Sequence, residues 1–368
     1  MIINKINPNI LEWARKESGY SVEDISRRLD IDVERYNQWE NTGEEIPFGK
    51  LKTLAKNYKR QIAAFFLPKI PSKAKKPKDF RNLLLANSPL SKETLLSIRR
   101  AHKYQNLMVE LFGENYFEDK YKWLNEYKEK FQNVKDLDQI AYWLRAKLDY
   151  TIEDQFSDKS NDVAYKKWRY FFESKLSIFV FQFSMPTDEI QGFSYSDEYP
   201  FCIAINSKNY STNSRIFTLF HEFAHLLKNQ SSLCIPDTVT DEQHEEYKMN
   251  SFAGALLLPQ DHIVYTADPD EIYKLSKKYK VSSEVYLRRL KDLNLISQDR
   301  FFELLDIIRS KVNPSKKGGF AVTQIQKSIN ARGQLFCYSV INAAKNEVIT
   351  YNRASDILGI KVNYILSE

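Results

Sequence analysis

The chain has 368 residues, 28% charged and 14% aromatic, with a formal charge of only +6, the balance of a folded protein of two or three domains and not of a disordered one. Ten glycines favour helices over a glycine-rich β architecture, no run of about 18 apolar residues offers a membrane span, and Met1-Ile-Ile-Asn-Lys lacks the layout of a signal peptide. Cys202, Cys234 and Cys337 form no CxxC pair and suit a reducing cytoplasm better than a disulfide framework, so the expectation is a cytoplasmic, mainly α protein with a small β-sheet (α+β).

Residues 1–68 read as a separate unit with helical periodicity at about 9–18, 21–29, 33–40 and 47–58. Gly19 separates the first two blocks, and Ser21 with Asp24 makes a capping start for the second. Asp32 caps the third, which carries Tyr36 and Trp39 inward, and Pro47 opens the fourth. Two short helices joined by a tight turn within a four- or five-helix bundle make a helix-turn-helix layout. The segments Ala14-Arg15-Lys16, Gly19-Tyr20-Ser21-Val22, Ile25, Leu29, Ile31 and Trp39-Glu40-Asn41 with Gly43 resemble the Cro/C1-type (XRE) DNA-binding domain. The resemblance implies that double-stranded DNA is a partner and that the third block is the recognition helix. By it, Val33, Glu34 and Gln38 face the major groove, with Arg35 and Asn37 on the flank. Gln38 suits adenine and Glu34 suits cytosine N4. Ser21, Lys50 and Lys52 are the phosphate-contact candidates. A purely structural bundle, or one that binds another helix-turn-helix protein, fits the same pattern.

A linker follows at 69–90. Its run Lys69–Lys78 holds five lysines in ten residues, suited either to releasing counterions from phosphates or to a solvated, proline-stiffened spacer. A second domain is expected at 91–312, with helices near 91–112, 136–148 and 162–174 whose Trp143, Trp168, Phe171 and Phe172 serve as core. Strands follow at Ile178–Phe183, Ile190–Tyr195 and Phe201–Ile205 in a sheet of about three strands. An exposed sheet edge can hold an extended peptide, and the last of these strands is the candidate edge.

Next comes His221-Glu222-Phe-Ala-His225, an HExxH pattern inside an apolar, helix-forming run. Four residues span about 400° of helix, so both imidazoles share a face and can converge on one Zn²⁺, with Glu222 beside them as general base toward a water. The competing reading is a partly buried helix face that merely contains these residues. Only five histidines occur in the whole chain, and two fall at this spacing. A third ligand should come from the helix that opens with Thr240-Asp-Glu-Gln243 and runs to Pro259. Glu246 is favoured, because Asn250 one turn on would be free to hydrogen-bond a ligand histidine. Glu242, Glu245 and His244 remain competitors, since an acidic first turn is also what a helix dipole favours.

Arg215-Ile-Phe-Thr-Leu-Phe-His-Glu-Phe-Ala-His225, followed by Glu246, Asn250, Phe252-Ala253 and Leu256-Leu-Leu-Pro259, resembles the ImmA/IrrE family of zinc metallopeptidases. The resemblance implies a zincin-like, gluzincin-type endopeptidase in which His221, His225 and Glu246 bind Zn²⁺ and Glu222 is catalytic. It further implies a helix-turn-helix repressor as substrate, cleaved to derepress stress, prophage or defence genes. Ala224 and Lys248 depart from the family's usual glycine and glutamate. Asp79-Phe80-Arg81 resembles an element common where these two domains are fused. Tyr247, His244 and His262 are candidate oxyanion donors. The other reading is a DNA-binding regulator or antitoxin-like repressor whose metal domain mainly senses, and homodimerisation is compatible with either. The segment 275–295 resembles a helical part of the same family and is taken as packing around the active site. Residues 313–368 are expected as a helical tail with a helix near 334–345.

Overall fold

The computed structural model describes residues 2–3, 5–71, 90–131, 136–209, 211–228, 232–234, 243–310 and 322–368. Helices dominate the described residues, and the fold is α+β as expected. They divide into two units, one comprising residues up to 71 with 90–102 and the other running from Lys103 to Glu368. Most of the lysine-rich linker, including Asp79-Phe80-Arg81, lies outside the described residues, as do 311–321.

In the first unit the expected helices are Pro8–Lys16, Val22–Leu29, Val33–Thr42 and Phe48–Tyr58. Ser21 caps the second by accepting from the Asp24 backbone N–H at 3.0 Å. Gly43 ends the third with φ 70°, and a Cβ there would stand 2.1 Å from the Ile6 carbonyl, so the sharp exit admits only glycine. Strands β1 (Ile2–Ile3) and β2 (Ile46–Pro47) form a short antiparallel ladder. Ile10, Leu11, Ile25, Leu29, Tyr36, Trp39, Leu51 and Leu54 make the core. Beside it Arg15 donates two hydrogen bonds to the Glu40 carboxylate, at 2.7 and 2.9 Å, and this partner holds the guanidinium pKa above its usual value. The start of the long helix Lys92–Phe112 joins this unit through a Lys92–Asp24 ion pair of 2.6 Å and a bond from Arg99 to Ser18.

The second unit is built around a sheet of β3 (Phe179–Phe183), β4 (Gly192–Tyr195), β5 (Cys202–Asn206) and β6 (Ser232–Cys234), in the order β3-β5-β4-β6. The strand β6 was not expected from sequence. Nor is β5 an edge: it is paired in parallel with β3 and antiparallel with β4, and all five of its residues are buried. Its apolar side chains on both faces suit a central strand, and the edges fall to β3 and β6. Residues alternate between the two faces. On β3, Phe181 packs against Tyr104 and Phe336, with ring centroids 5.4 and 5.7 Å apart. Gln182 points the other way, where its Oε1 accepts from Arg215 at 3.3 Å. On that face lies the helix Thr212–Leu227, which carries HExxH and is buried around almost its whole circumference from Ile216 on. Phe220 meets the edge of Trp168 at 4.8 Å, and Phe223 meets Phe172 at 4.9 Å.

The tail packs into this unit. Asn330, in the helix Gln324–Arg332, offers its carbonyl to Arg169 and Gln182 at 2.7 and 2.8 Å beside β3. The next helix, Gln334–Lys345, is anchored at its start by the buried Glu173, whose Oε2 accepts from the Leu335 N–H at 2.9 Å. Burial raises the Glu173 pKa above the ordinary carboxylate value, against the opposing pull of Arg169. The 275–295 segment forms the helices Pro269–Lys278 and Ser283–Asp292, the latter burying Tyr286, Leu287, Arg289 and Leu290. The latter helix packs against Gln243–Leu257.

Candidate metal centre

Ser211 caps the HExxH helix by accepting from the Ser214 N–H at 3.1 Å, and the helix then runs unbroken through His225. One turn apart, the His221 and His225 rings have centroids 4.9 Å apart. Against them lies the helix Gln243–Leu257. Its Glu246 places Oε2 3.2 Å from His221 Nε2 and Oε1 3.4 Å from His225 Nε2, and the two Nε2 atoms are 3.2 Å apart. Three ligands on a tetrahedral ion with bonds of about 2.0–2.1 Å would be separated by about 3.3–3.4 Å. Each carboxylate oxygen stands near this separation from one imidazole, all the donor atoms lie within 4.8 Å of one another, and the donor set fits a zinc ion in number and chemistry.

The His221 Nδ1 atom lies 3.0 Å from Asn250 Oδ1. An amide oxygen only accepts, so Nδ1 carries the proton and Nε2 presents its lone pair toward Glu246 and His225. The imidazoles and Glu222 are buried, whereas the Glu246 side chain is 46% exposed and marks the side on which the site meets solvent. Ala224, at the position of the usual glycine, is 4% exposed and fits where it stands. Lys248 is exposed.

The far end of the Glu246 helix is held by buried side chains from elsewhere in the unit. Arg145 donates to the Leu256 carbonyl at 2.7 Å, Gln155 to Leu257 at 3.1 Å and Arg289 to Leu258 at 2.9 Å. These carbonyls have few partners within the helix, and two cations at this end also oppose its dipole. Burial lowers the Arg145 pKa to about 10.

The other candidates are dispersed. Glu242 and the side chains of His244 and Glu245 lie outside the described residues. Tyr247 is 42% exposed and donates to Asp292 Oδ1 at 2.8 Å; burial first, and that bond second, raise its pKa. His262 closes the short turn Gln260–His262, and its carbonyl accepts from Tyr279.

Sequence reading passed over Gly192. This residue opens β4, pairing with Ile205 on one side and Cys234 on the other, where the strand meets the HExxH helix. A Cβ built there would lie 2.6 Å from Thr218 Cγ2, 3.0 Å from the Ala204 carbonyl and 3.4 Å from Glu222 Cγ. A lone glycine inside a strand pattern is the signal that could have found it.

On the helix Val33–Thr42, Val33, Glu34, Asn37 and Gln38 are exposed, Arg35 is half-buried, and Tyr36 and Trp39 turn inward. Arg35 donates to Gln38 Oε1 at 2.8 Å and pairs with Glu45 at 3.1 Å. Ser21 is the cap already described. Lys50 donates to the Leu29 carbonyl at the end of the helix Val22–Leu29, and the Lys52 ammonium lies 4.6 Å from the Phe48 ring centre.

Residues 173–291 match the family model of the IrrE N-terminal-like domain, an M78 peptidase family, and residues 11–65 match a helix-turn-helix family model. Searches of curated proteins and of solved structures return no match.

Proposed function

We propose, for a chain that joins an N-terminal helix-turn-helix domain to an IrrE-like peptidase domain, that it is a zinc-dependent regulatory endopeptidase acting in the cytoplasm. Its substrate is a helix-turn-helix repressor, whose cleavage releases stress, prophage or defence genes. The observation that carries this reading is the meeting of His221, His225 and Glu246, with ligand atoms within 4.8 Å of one another, beside the buried Glu222.

The residues divide the work. His221, His225 and Glu246 would hold the cation, and Asn250 fixes the tautomer of His221. When bound, zinc supplies Lewis-acid polarisation of the scissile carbonyl and of a water. Glu222 takes the water proton at its carboxylate and hands it to the leaving amine. The edge strand β6 lies next to β4 and touches the HExxH helix, which makes its backbone the place for an extended substrate segment to pair. The helix-turn-helix domain brings the peptidase to its operator DNA or to the repressor itself.

The test is incubation of the purified, zinc-loaded chain with the repressor encoded beside its gene, using Glu222→Gln as control. Cleavage by the wild type alone, with metal retained in the variant, is the expected result. Equal cleavage by Glu222→Gln overturns the mechanism. Specific DNA binding without cleavage of any candidate repressor overturns the peptidase reading in favour of a metal-sensing regulator.

A further inference from the structure

Thr218 and Glu222 are one helical turn apart and share the face of the HExxH helix that rests on β4, while His221 and His225 present the neighbouring face. Gly192 is what lets strand and helix come this close. Ordinary carbon contacts are about 3.5–4.0 Å, so a methyl group at 2.6 Å from Thr218 Cγ2 demands a separation of about 1 Å. The Ala204 carbonyl of the paired β5 stands 3.0 Å from the same point, so the methyl is crowded from within the sheet as well. Thr218 is buried and β-branched, so its Cγ2 has little room to turn aside, and the strain falls on the helix that also carries the stem of Glu222.

We propose that Gly192 and Thr218 are positioning residues, whose contact sets the gap between β4 and the HExxH helix and thereby places the Glu222 carboxylate for proton transfer. The proposal rests on the reading of Glu222 as general base. It distinguishes two consequences of a shift. Glu246 is half-exposed, and a side chain at the solvent edge can turn with the imidazoles, so the three-residue donor set can re-form around a displaced helix. Glu222 is fully buried and has no such freedom. Turnover should therefore suffer more than metal affinity, since a misplacement of about 1 Å at a reacting group costs on the order of 100-fold in rate.

The experiment compares full-length wild type, Gly192→Ala, Thr218→Ser and the double variant. It measures cleavage of the repressor that the wild type cuts, zinc affinity by chelator competition, and crystal structures of the zinc-loaded proteins. Gly192→Ala should show the helix displaced by about 1 Å and turnover reduced about 100-fold, with zinc affinity within about tenfold of wild type. Thr218→Ser removes Cγ2, and in the double variant the new methyl takes its space; helix position and most of the turnover should return. Near-wild-type turnover in Gly192→Ala, or a double variant as slow as the single one, overturns the proposal. Should Gly192→Ala fail to fold, the double variant decides, and a folded, zinc-binding but inactive double variant is a negative result. A wild type that cuts no repressor defeats the functional reading instead. The crystal structures then judge the packing by themselves, and an undisplaced helix in Gly192→Ala refutes it.

Discussion

Replacing Asn250 by alanine takes one hydrogen bond from the metal centre and none of its ligands. Its Oδ1 accepts from His221 Nδ1 at 3.0 Å, and this bond holds the ring in the tautomer and orientation that present Nε2 to the ion. Without it the imidazole can rotate or place its proton on Nε2, and both changes must be reversed before metal binds. Losing such an orienting partner typically weakens metal affinity about 10- to 100-fold, which is about 1.4–2.7 kcal/mol. The side chain is only partly buried, so the metal-free fold should lose little. Zinc titration against a chromophoric chelator at neutral pH reads the change directly, with Asn250→Asp, which keeps an acceptor in place, expected to stay near wild type. The affinity of every variant should fall as the solution is acidified, because imidazole binds a metal only when neutral. An Asn250→Ala protein that holds zinc within about twofold of wild type, with Asn250→Asp no different, would refute the argument.

Glu246→Ala removes the third donor, so added zinc should no longer raise the melting temperature; in the wild type, zinc at about 100 times its Kd should add about 2.7 kcal/mol. Calorimetry with and without EDTA separates the two cases. Glu40→Met strands the Arg15 guanidinium, whose side chain is 11% exposed, and should destabilise the first unit by about 3 kcal/mol, measured by urea unfolding. A midpoint equal to wild type would mean that the pair contributes nothing. Deleting residues 322–368 uncovers Phe179 and Phe181 and leaves Glu173 without its backbone donors, so the second unit should lose its cooperative melt. An unchanged melt would show that the tail is dispensable.

Periodicity determined much of this protein. The HExxH spacing puts two imidazoles on one face of any helix that forms there, and the apolar residues around them make that helix a buried one; both facts are local and survive in every arrangement of the chain. The same holds for the pairing of Glu246 with Asn250 one turn on, and for the inward Tyr36 and Trp39 of the helix Val33–Thr42. Which carboxylate of an acidic first turn faces the histidines is another matter. On a helix Glu242 and Glu246 would share a face one turn apart while Glu245 lies about 100° round from Glu246, so the choice depends on how far along and how far round the helix is docked, which is set by what it packs against, not by its own sequence. Strand order is non-local in the same way: the apolar residues of β5 mark a buried strand but do not name its neighbours, so its place between β3 and β4 and the edge position of β6 belong to the assembled sheet. Gly192 shows the division at a single residue. Its lack of a side chain is written in the sequence, but the helix that needs the vacant space lies more than twenty residues away along the chain, and only packing brings the two together.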